Sequence, residues 1–243
     1  VTSNGWDRSA QAWIVSMGEE GDWARQYVLD PVMLGRLAQG AYGSALDVGC
    51  GEGRFCRLLK ASGIEAIGID PTSALLEEAK RRDPTGDYRL GNAENLPFDA
   101  GSFDLVVSYL TLVDIADFRT AIREMQRVLR PGGSLLIANL TSFTSACAAQ
   151  GWIKNKDGHR LHFPVDRYLD EFSFELEWQG IRILNWHRPL RAYMSALLEA
   201  SLQLAFFTEP EASSGDSTQR EIHRRVPWFV VMEWRKPQVL SKA

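Results

Sequence analysis

Between residues 45 and 140 the chain alternates short apolar runs with amphipathic ones, and no other feature restricts its fold as strongly. Strand-like runs occupy 45–49, 65–70, 88–90, 103–109 and 134–140, with helical periodicity at 73–82 and 118–129. The runs LVVSYL and LLIANL are apolar almost throughout, which marks strands covered on both faces. Strands that alternate with helices in this way predict an α/β fold around a mostly parallel sheet. Arg130-Pro131-Gly132-Gly133 reads as a helix stop followed by a tight turn.

The first crossover carries the chemistry. LDVGCGEGRF sets Gly49, Gly51 and Gly53 between the run Ala45-Leu46-Asp47-Val48 and a stretch able to be helical. A strand that turns through glycines into a helix lets the backbone lie against a ligand. The dinucleotide fingerprint G-x-G-x-x-G would need a glycine where Arg54 stands. That counts against a pyrophosphate, and against a nicotinamide-dependent oxidoreductase.

Outside this core the rhythm changes. Residues 1–40 carry Trp6, Ala10, Trp13, Ile14 and Met17 at helical spacing, then Trp23, Tyr27, Leu34 and Leu37, with Pro31 at a break or a new helix start. They form either an N-terminal helical lid or ordinary core. Residues 41–140 make the ligand-binding core. Residues 141–188 are aromatic, and FELEW and IRILNW flank Gln179-Gly180 as a hairpin, so this stretch is predicted to be an inserted cap over the sheet's C-terminal edge. Residues 189–237 close the core with a helix at 190–200, a strand at 202–208, a polar loop at 209–225 and a last strand at 227–234.

A chain of 243 residues suits one α/β domain with a modest insertion. Its net charge of −4 argues against RNA or DNA as a partner. The absence of a bilayer-length apolar run and of a leader pattern, with three cysteines and no C-x-x-C pair, predicts a reduced, cytoplasmic protein without a metal site.

LDVGCGEGRF, GIDP, GNAENLPF, FDLVVSYLTL and RVLRPGGSLLIANL, in that order, resemble the motifs of class I S-adenosyl-L-methionine (SAM)-dependent methyltransferases. Within that class they are similar to the type 11 small-molecule group, which includes enzymes of ubiquinone and menaquinone biosynthesis. The resemblance implies a Rossmann-like, seven-stranded, mostly parallel sheet with an antiparallel last strand, for which 227–234 is the match. It also implies SAM as cofactor, with S-adenosyl-L-homocysteine (SAH) as product. Gly49, Cys50, Gly51 and Gly53 would then border the methionine tail and ribose, and Asp47 the ammonium group. Asp70, 19 residues after Gly51, would accept from both ribose hydroxyls, unless it only caps the next helix. Asn92 and Ala93 would meet the adenine edge, and Pro71 and Leu96 would sandwich the base or simply pack. Ser108 matches the position whose backbone faces the methionyl group, and Leu112-Val113-Asp114 stands where relatives often carry a His-His pair.

The implied reaction moves a methyl group by in-line displacement to a small, aromatic or apolar molecule, and holding the reactants in line supplies much of the catalysis. Where a base is needed, His187 is the candidate, with a structural turn histidine as the alternative. Trp13, Tyr27, His162, Tyr168 and Tyr193 are candidate acceptor contacts. Arg188 and Arg191 would draw an acidic substrate or merely flank a helix start. A SAM-binding sensor or inactive subunit is the alternative function. A nucleic-acid methyltransferase fits less well, because a basic module is absent and SYLT replaces an N-P-P-Y tetrad. A monomer or a homodimer is expected.

Overall fold

The apolar strand sequences settle the middle of the sheet. In β4 (Phe103–Tyr109) and the second half of β5 (Leu129–Leu140), side chains pointing both ways are buried. The computed structural model describes residues 4–147 and 150–238. Its main sheet has seven strands in the order β10 (Gln203–Thr208), β11 (Phe229–Arg235), β5, β4, β1 (Ser44–Val48), β2 (Glu65–Asp70) and β3 (Asp87–Leu90). Pairs β1–β2, β1–β4, β2–β3 and β4–β5 are parallel. β11 is antiparallel to both β5 and β10, so it alone runs against the other six, as expected for the last strand.

Alternation along the strands divides the core in two. Leu46, Val48, Val106, Leu135 and Ile137 face α5 (Phe118–Val128) and α7 (Leu190–Glu199). Ala45, Leu105, Val107 and Leu136 face α2 (Asp30–Leu37) and α3 (Arg54–Ala61). The chain leaves β1 toward β2 and β3 on one side and returns at β4 on the other. That reversal opens a crevice at the C-terminal ends of β1 and β4, where open α/β sheets bind ligands.

α4 (Ser73–Arg82) completes the crossover from β2 to β3. At the N-terminus, α1 (Trp6–Met17) is followed by a π-helical turn, Arg25–Leu29, that runs into α2. Pro31 lies in the first turn of α2, where a missing N–H costs little. The 141–188 segment begins with α6 (Ser142–Ala146) and continues through a small ribbon, β6 (Ile153–Lys154) with β7 (Arg160–His162). Its hairpin pairs β8 (Phe172–Trp178) with β9 (Ile181–His187) about Gln179 and Gly180, both at positive φ. Strand β9 then joins the N-terminal segment to the loop after β4. Ser9 Oγ both donates to the Arg182 carbonyl and accepts its N–H at 2.9 Å. Leu184 N–H donates to Asn4 O, and Trp186 N–H to Val113 O.

Two expectations need correction. Residues 130–133 belong to β5 rather than to a separate turn: pairing jumps from Phe103–Leu129 to Leu105–Ser134, so the surplus residues bulge within the strand. The polar stretch 209–225 ends in a helix, α8 (Ser217–Arg225). No side chain of α8 is buried, so it has no apolar stripe to betray it. Asp216 caps it by accepting the Gln219 N–H at 2.9 Å, and Arg225 ties it to the carbonyls of Arg160 and Leu161.

Candidate active site

Where β1 ends, the backbone turns back on itself. Gly49 and Cys50 both donate their N–H to the Ile69 carbonyl of β2, at 2.8 and 3.1 Å. Gly49 sits at φ +74, and a Cβ there would lie 2.2 Å from the Thr111 side chain. Gly51 is different: φ is +54, yet a Cβ would meet nothing within 4 Å, because it faces open space. That space is a cavity of about 710 Å³ between the C-terminal ends of β1, β2 and β4, with α1 and β9 opposite. Gly53, at φ +75, starts α3 against the Tyr88 ring and does not line the cavity.

Two carboxylates border this turn. Asp70 accepts N–H groups from Gly51 and Thr72 at 2.9 and 2.8 Å; burial raises its pKa, and these bonds oppose the rise. Asp47, 1% exposed, has Oδ2 3.4 Å from the Cys56 thiol, while its buried Oδ1 has no hydrogen-bond partner among the described residues. Loss of water pushes its pKa up to about 7. An unpaired carboxylate oxygen of this kind calls for a cation, and the SAM ammonium is one. Pro71, Asn92 and Ala93 line the cavity beside Asp70, where an adenosine would continue, whereas Leu96 is buried behind the wall. The donor set therefore fits SAM: a carboxylate for the ammonium, another with spare lone pairs for ribose, and a glycine backbone between them.

Ser108 is wholly buried and off the wall. The wall is made by Tyr109, Leu110 and Thr111, and Leu110 takes the left-handed conformation at φ +58 while donating its N–H to Ala138 O. A non-glycine residue there is strained, which is common at binding clefts.

On the acceptor side the structure redistributes the expected residues. Trp13 lines the cavity, donates its indole N–H to Glu52 Oε2 at 2.9 Å and meets Trp6 edge to face. Tyr27 packs against Trp23 under the 209–216 loop, His162 is exposed on β7, and Tyr193 is buried against Phe118. Tyr168 lies against Phe143 and His187. None of these four reaches the cavity.

His187 also departs from expectation. It is fully buried, with Nδ1 2.8 Å from Ser145 Oγ and Nε2 3.0 Å from the Tyr168 carbonyl. A carbonyl only accepts, so Nε2 carries the proton and Nδ1 accepts from Ser145. Burial lowers its pKa, and the neutral ring ties β9 to α6 and to Tyr168 within the 141–188 segment rather than lining the cavity. Arg188 is equally hidden and donates to the carbonyls of Leu112, Ile115 and Ala116, a placement that fits the helix-flanking alternative better than a pull on an acidic substrate. Arg191 donates to the Leu169 carbonyl.

The wall also contains residues that were not among the predicted site candidates: Trp6, Arg25, Glu52 and Trp186. Asp114 joins them, accepting from the Asn185 amide, and burial pushes its pKa up to about 8. The signal available for Asp114 was its place in the segment that departs from the His-His landmark. Among the described residues no helix is long and apolar enough to cross a membrane, and no group of three or more His, Cys, Asp or Glu could hold a metal ion.

Comparison with known proteins agrees with this geometry. Residues 46–137 match the type 11 family model described as "Methyltransferase domain". Over 163 residues the chain is 34% identical to malonyl-[acyl-carrier protein] O-methyltransferase of Salmonella typhimurium, covering 67% of this chain and 63% of that protein. It is 33% identical over 128 residues to demethylmenaquinone methyltransferase of Paenarthrobacter aurescens, covering 53% and 48%. The chain thus spans between about half and two thirds of the length of these relatives. Among solved structures, an S-adenosylmethionine-dependent methyltransferase from Mesorhizobium loti superposes with a TM-score of 0.75 at 25% identity, covering 90% of this chain and 100% of that one. One from Listeria monocytogenes gives 0.74 at 27% identity, covering 81% and 90%. Residues 46–137 are thus similar to type 11 methyltransferase domains, within a fold shared with solved S-adenosylmethionine-dependent methyltransferases.

Proposed function

We propose that this chain transfers the methyl group of SAM to a small molecule by in-line displacement. The observation that carries the reading is the cavity: Asp47, Gly51 and Asp70 form one end of it, and the wall continues past them to Trp6, Asp114 and Trp186. A sensor needs only the first end. Bound there, SAM supplies a methyl carbon on a sulfonium, so that an acceptor's electron pair forms the new bond as the C–S bond breaks and its pair leaves with sulfur. The protein's own part is to hold the amino-acid tail on Asp47 and the ribose on Asp70, and to keep water out with α1 and β9. In this reading 1–40 is a lid, 41–140 the SAM-binding core, 141–188 a substrate cap and 189–237 the closing part of the core.

Malonyl-[acyl-carrier protein] and demethylmenaquinone are named for the relatives' activities. The family-model match, 46–137, takes in the cofactor end and Asp114, whereas Trp6 and Trp186 lie outside it. Net charge −4 disfavours nucleic acid, three free thiols suit a reducing cytoplasm, and a monomer or homodimer would serve.

Calorimetric titration with SAM, SAH and NAD tests the assignment. Saturable heats with SAM and SAH but not NAD are expected, and transfer of label from methyl-labelled SAM into a small-molecule extract separates enzyme from sensor. No saturation with either nucleoside would refute it.

A further inference from the structure

We propose that the acceptor at this site presents an amine, held as its ammonium form between the indoles of Trp6 and Trp186 and the carboxylate of Asp114. The inference rests on the methyl-transfer reading above and specifies its substrate class.

Three observations converge. First, carboxylates outnumber guanidiniums along the cavity, and both guanidiniums are already paired: Arg25 with Asp22 at 2.7 Å, and Arg54 with Asp30. After Asp47 and Asp70 are assigned to SAM, Asp114 still faces the remaining space, with Asp7 of α1 and Asp117 at the start of α5 beside it. An anionic acceptor would meet this wall with repulsion, whereas an ammonium is attracted to it. Second, the same space is walled by Trp6, Trp13 and Trp186, and indole faces bind cations best among side chains. Arg25 shows the preference within the protein, its guanidinium lying 4.9 Å over the Trp13 ring and 5.8 Å over that of Tyr109. Third, Asp114 is held in place on this wall: Asn185, itself 3% exposed, donates to Oδ1, and Trp6 lines the same cavity.

An ammonium has no free electron pair, so it must lose a proton before it can accept a methyl group. At Asp114 the N–H bond breaks, its electron pair stays on nitrogen, and the proton passes to the carboxylate and later to water. A carboxyl that titrates near 8, with Asp70 raising and Arg25 lowering that value, is suited to take up and release this proton near neutrality.

The test uses the full chain saturated with SAH and four probes: 2-phenylethylamine, 2-phenylethanol, 3-phenylpropanoate and benzyltrimethylammonium. Tryptophan fluorescence and calorimetry report binding. Both cations should saturate, with the alcohol and the acid at least ten times weaker. Benzyltrimethylammonium does not titrate, so below the Asp114 pKa its affinity should rise roughly tenfold per pH unit. Asp114→Asn should abolish that slope and weaken cation binding at least tenfold while SAH affinity holds. If Asp114→Asn loses SAH, Trp186→Leu carries the test, with the same cation-selective loss expected. Equal binding of acid or alcohol, cation binding unchanged in the variant, or no cation binding to SAH-loaded protein overturns the amine assignment alone. Failure of SAH itself to bind overturns the methyl-transfer reading as well.

Discussion

Oδ2 of Asp70 accepts the amide N–H of Gly51 at 2.9 Å, so the acid ending β2 clamps the glycine turn that follows β1. Oδ1 does the same for Thr72 at 2.8 Å. Each oxygen keeps a second lone pair, and the residue borders the cavity. Asp70→Ala would remove both the clamp and the acceptors for ribose. SAH affinity should fall at least a hundredfold, about 2.7 kcal/mol, within what loss of charge-assisted hydrogen bonds costs. Calorimetry checks this, and unchanged affinity would show that the carboxylate is only a structural clamp.

Gly51 separates folding from binding. An added methyl meets no protein atom, so Gly51→Ala should cost only the left-handed backbone, about 1 kcal/mol. The methyl would project into the space assigned to the cofactor, and SAH affinity should drop at least tenfold. Gly49→Ala, which collides with Thr111, should instead lose stability as well. Thermal unfolding and SAH titration of the two variants distinguish these outcomes, and full SAH binding by Gly51→Ala would remove the backbone contact from the account.

The sheet was legible because apolar runs such as LVVSYL can be buried only as interior strands, and Asp70 because it ends one of them. Other residues were obscured by specific physics. Helix α8 is held by a cap and backbone ties, and neither leaves a periodic trace. His187 invited a catalytic role, yet β9 buries Ile181, Ile183, Asn185 and His187 in one phase and turns Leu184 and Trp186 to the cavity in the other. Counting from the isoleucines would have placed the histidine inside. Asp114 gained its surroundings from Asn185 and Trp6, each more than 70 positions away, which no local pattern reports.

Stability should fall as pH rises through neutrality. Burial raises the pKa of Asp47 to about 7 and of Asp114 to about 8, from an ordinary value near 3.8. The folded chain therefore holds protons that the unfolded chain has released, and each pH unit in the window favours unfolding. His187 and His223, with lowered pKa values, act in the opposite sense only below about 6.5. Between pH 6.5 and 8 the carboxyls dominate, and the expected loss is about 2 kcal/mol, or several degrees in Tm. Asp114→Asn should flatten most of this slope in thermal scans. A Tm that rises over the same range would contradict both assignments.

Arg188 holds the acceptor wall in shape without touching the cavity. It is 1% exposed, donates to the carbonyls of Leu112, Ile115 and Ala116, and lies 4.3 Å over the Phe118 ring and 5.2 Å over that of Trp186. These bonds pin the loop that carries Asp114 to the start of α5. Arg188→Leu matches much of the volume but leaves three carbonyls unpaired, so a loss of about 3 kcal/mol is expected. A lysine has one ammonium where the guanidinium reaches three acceptors, and Arg188→Lys should recover only part of it. Because Asp47 and Asp70 lie on β1 and β2, away from this loop, SAH affinity should change by less than threefold in whichever variant stays folded. Denaturant unfolding with and without SAH reads both quantities. Equal stability of wild type and Arg188→Leu would mean that the loop is held by its own backbone, and the acceptor wall would then need no buttress from the cap.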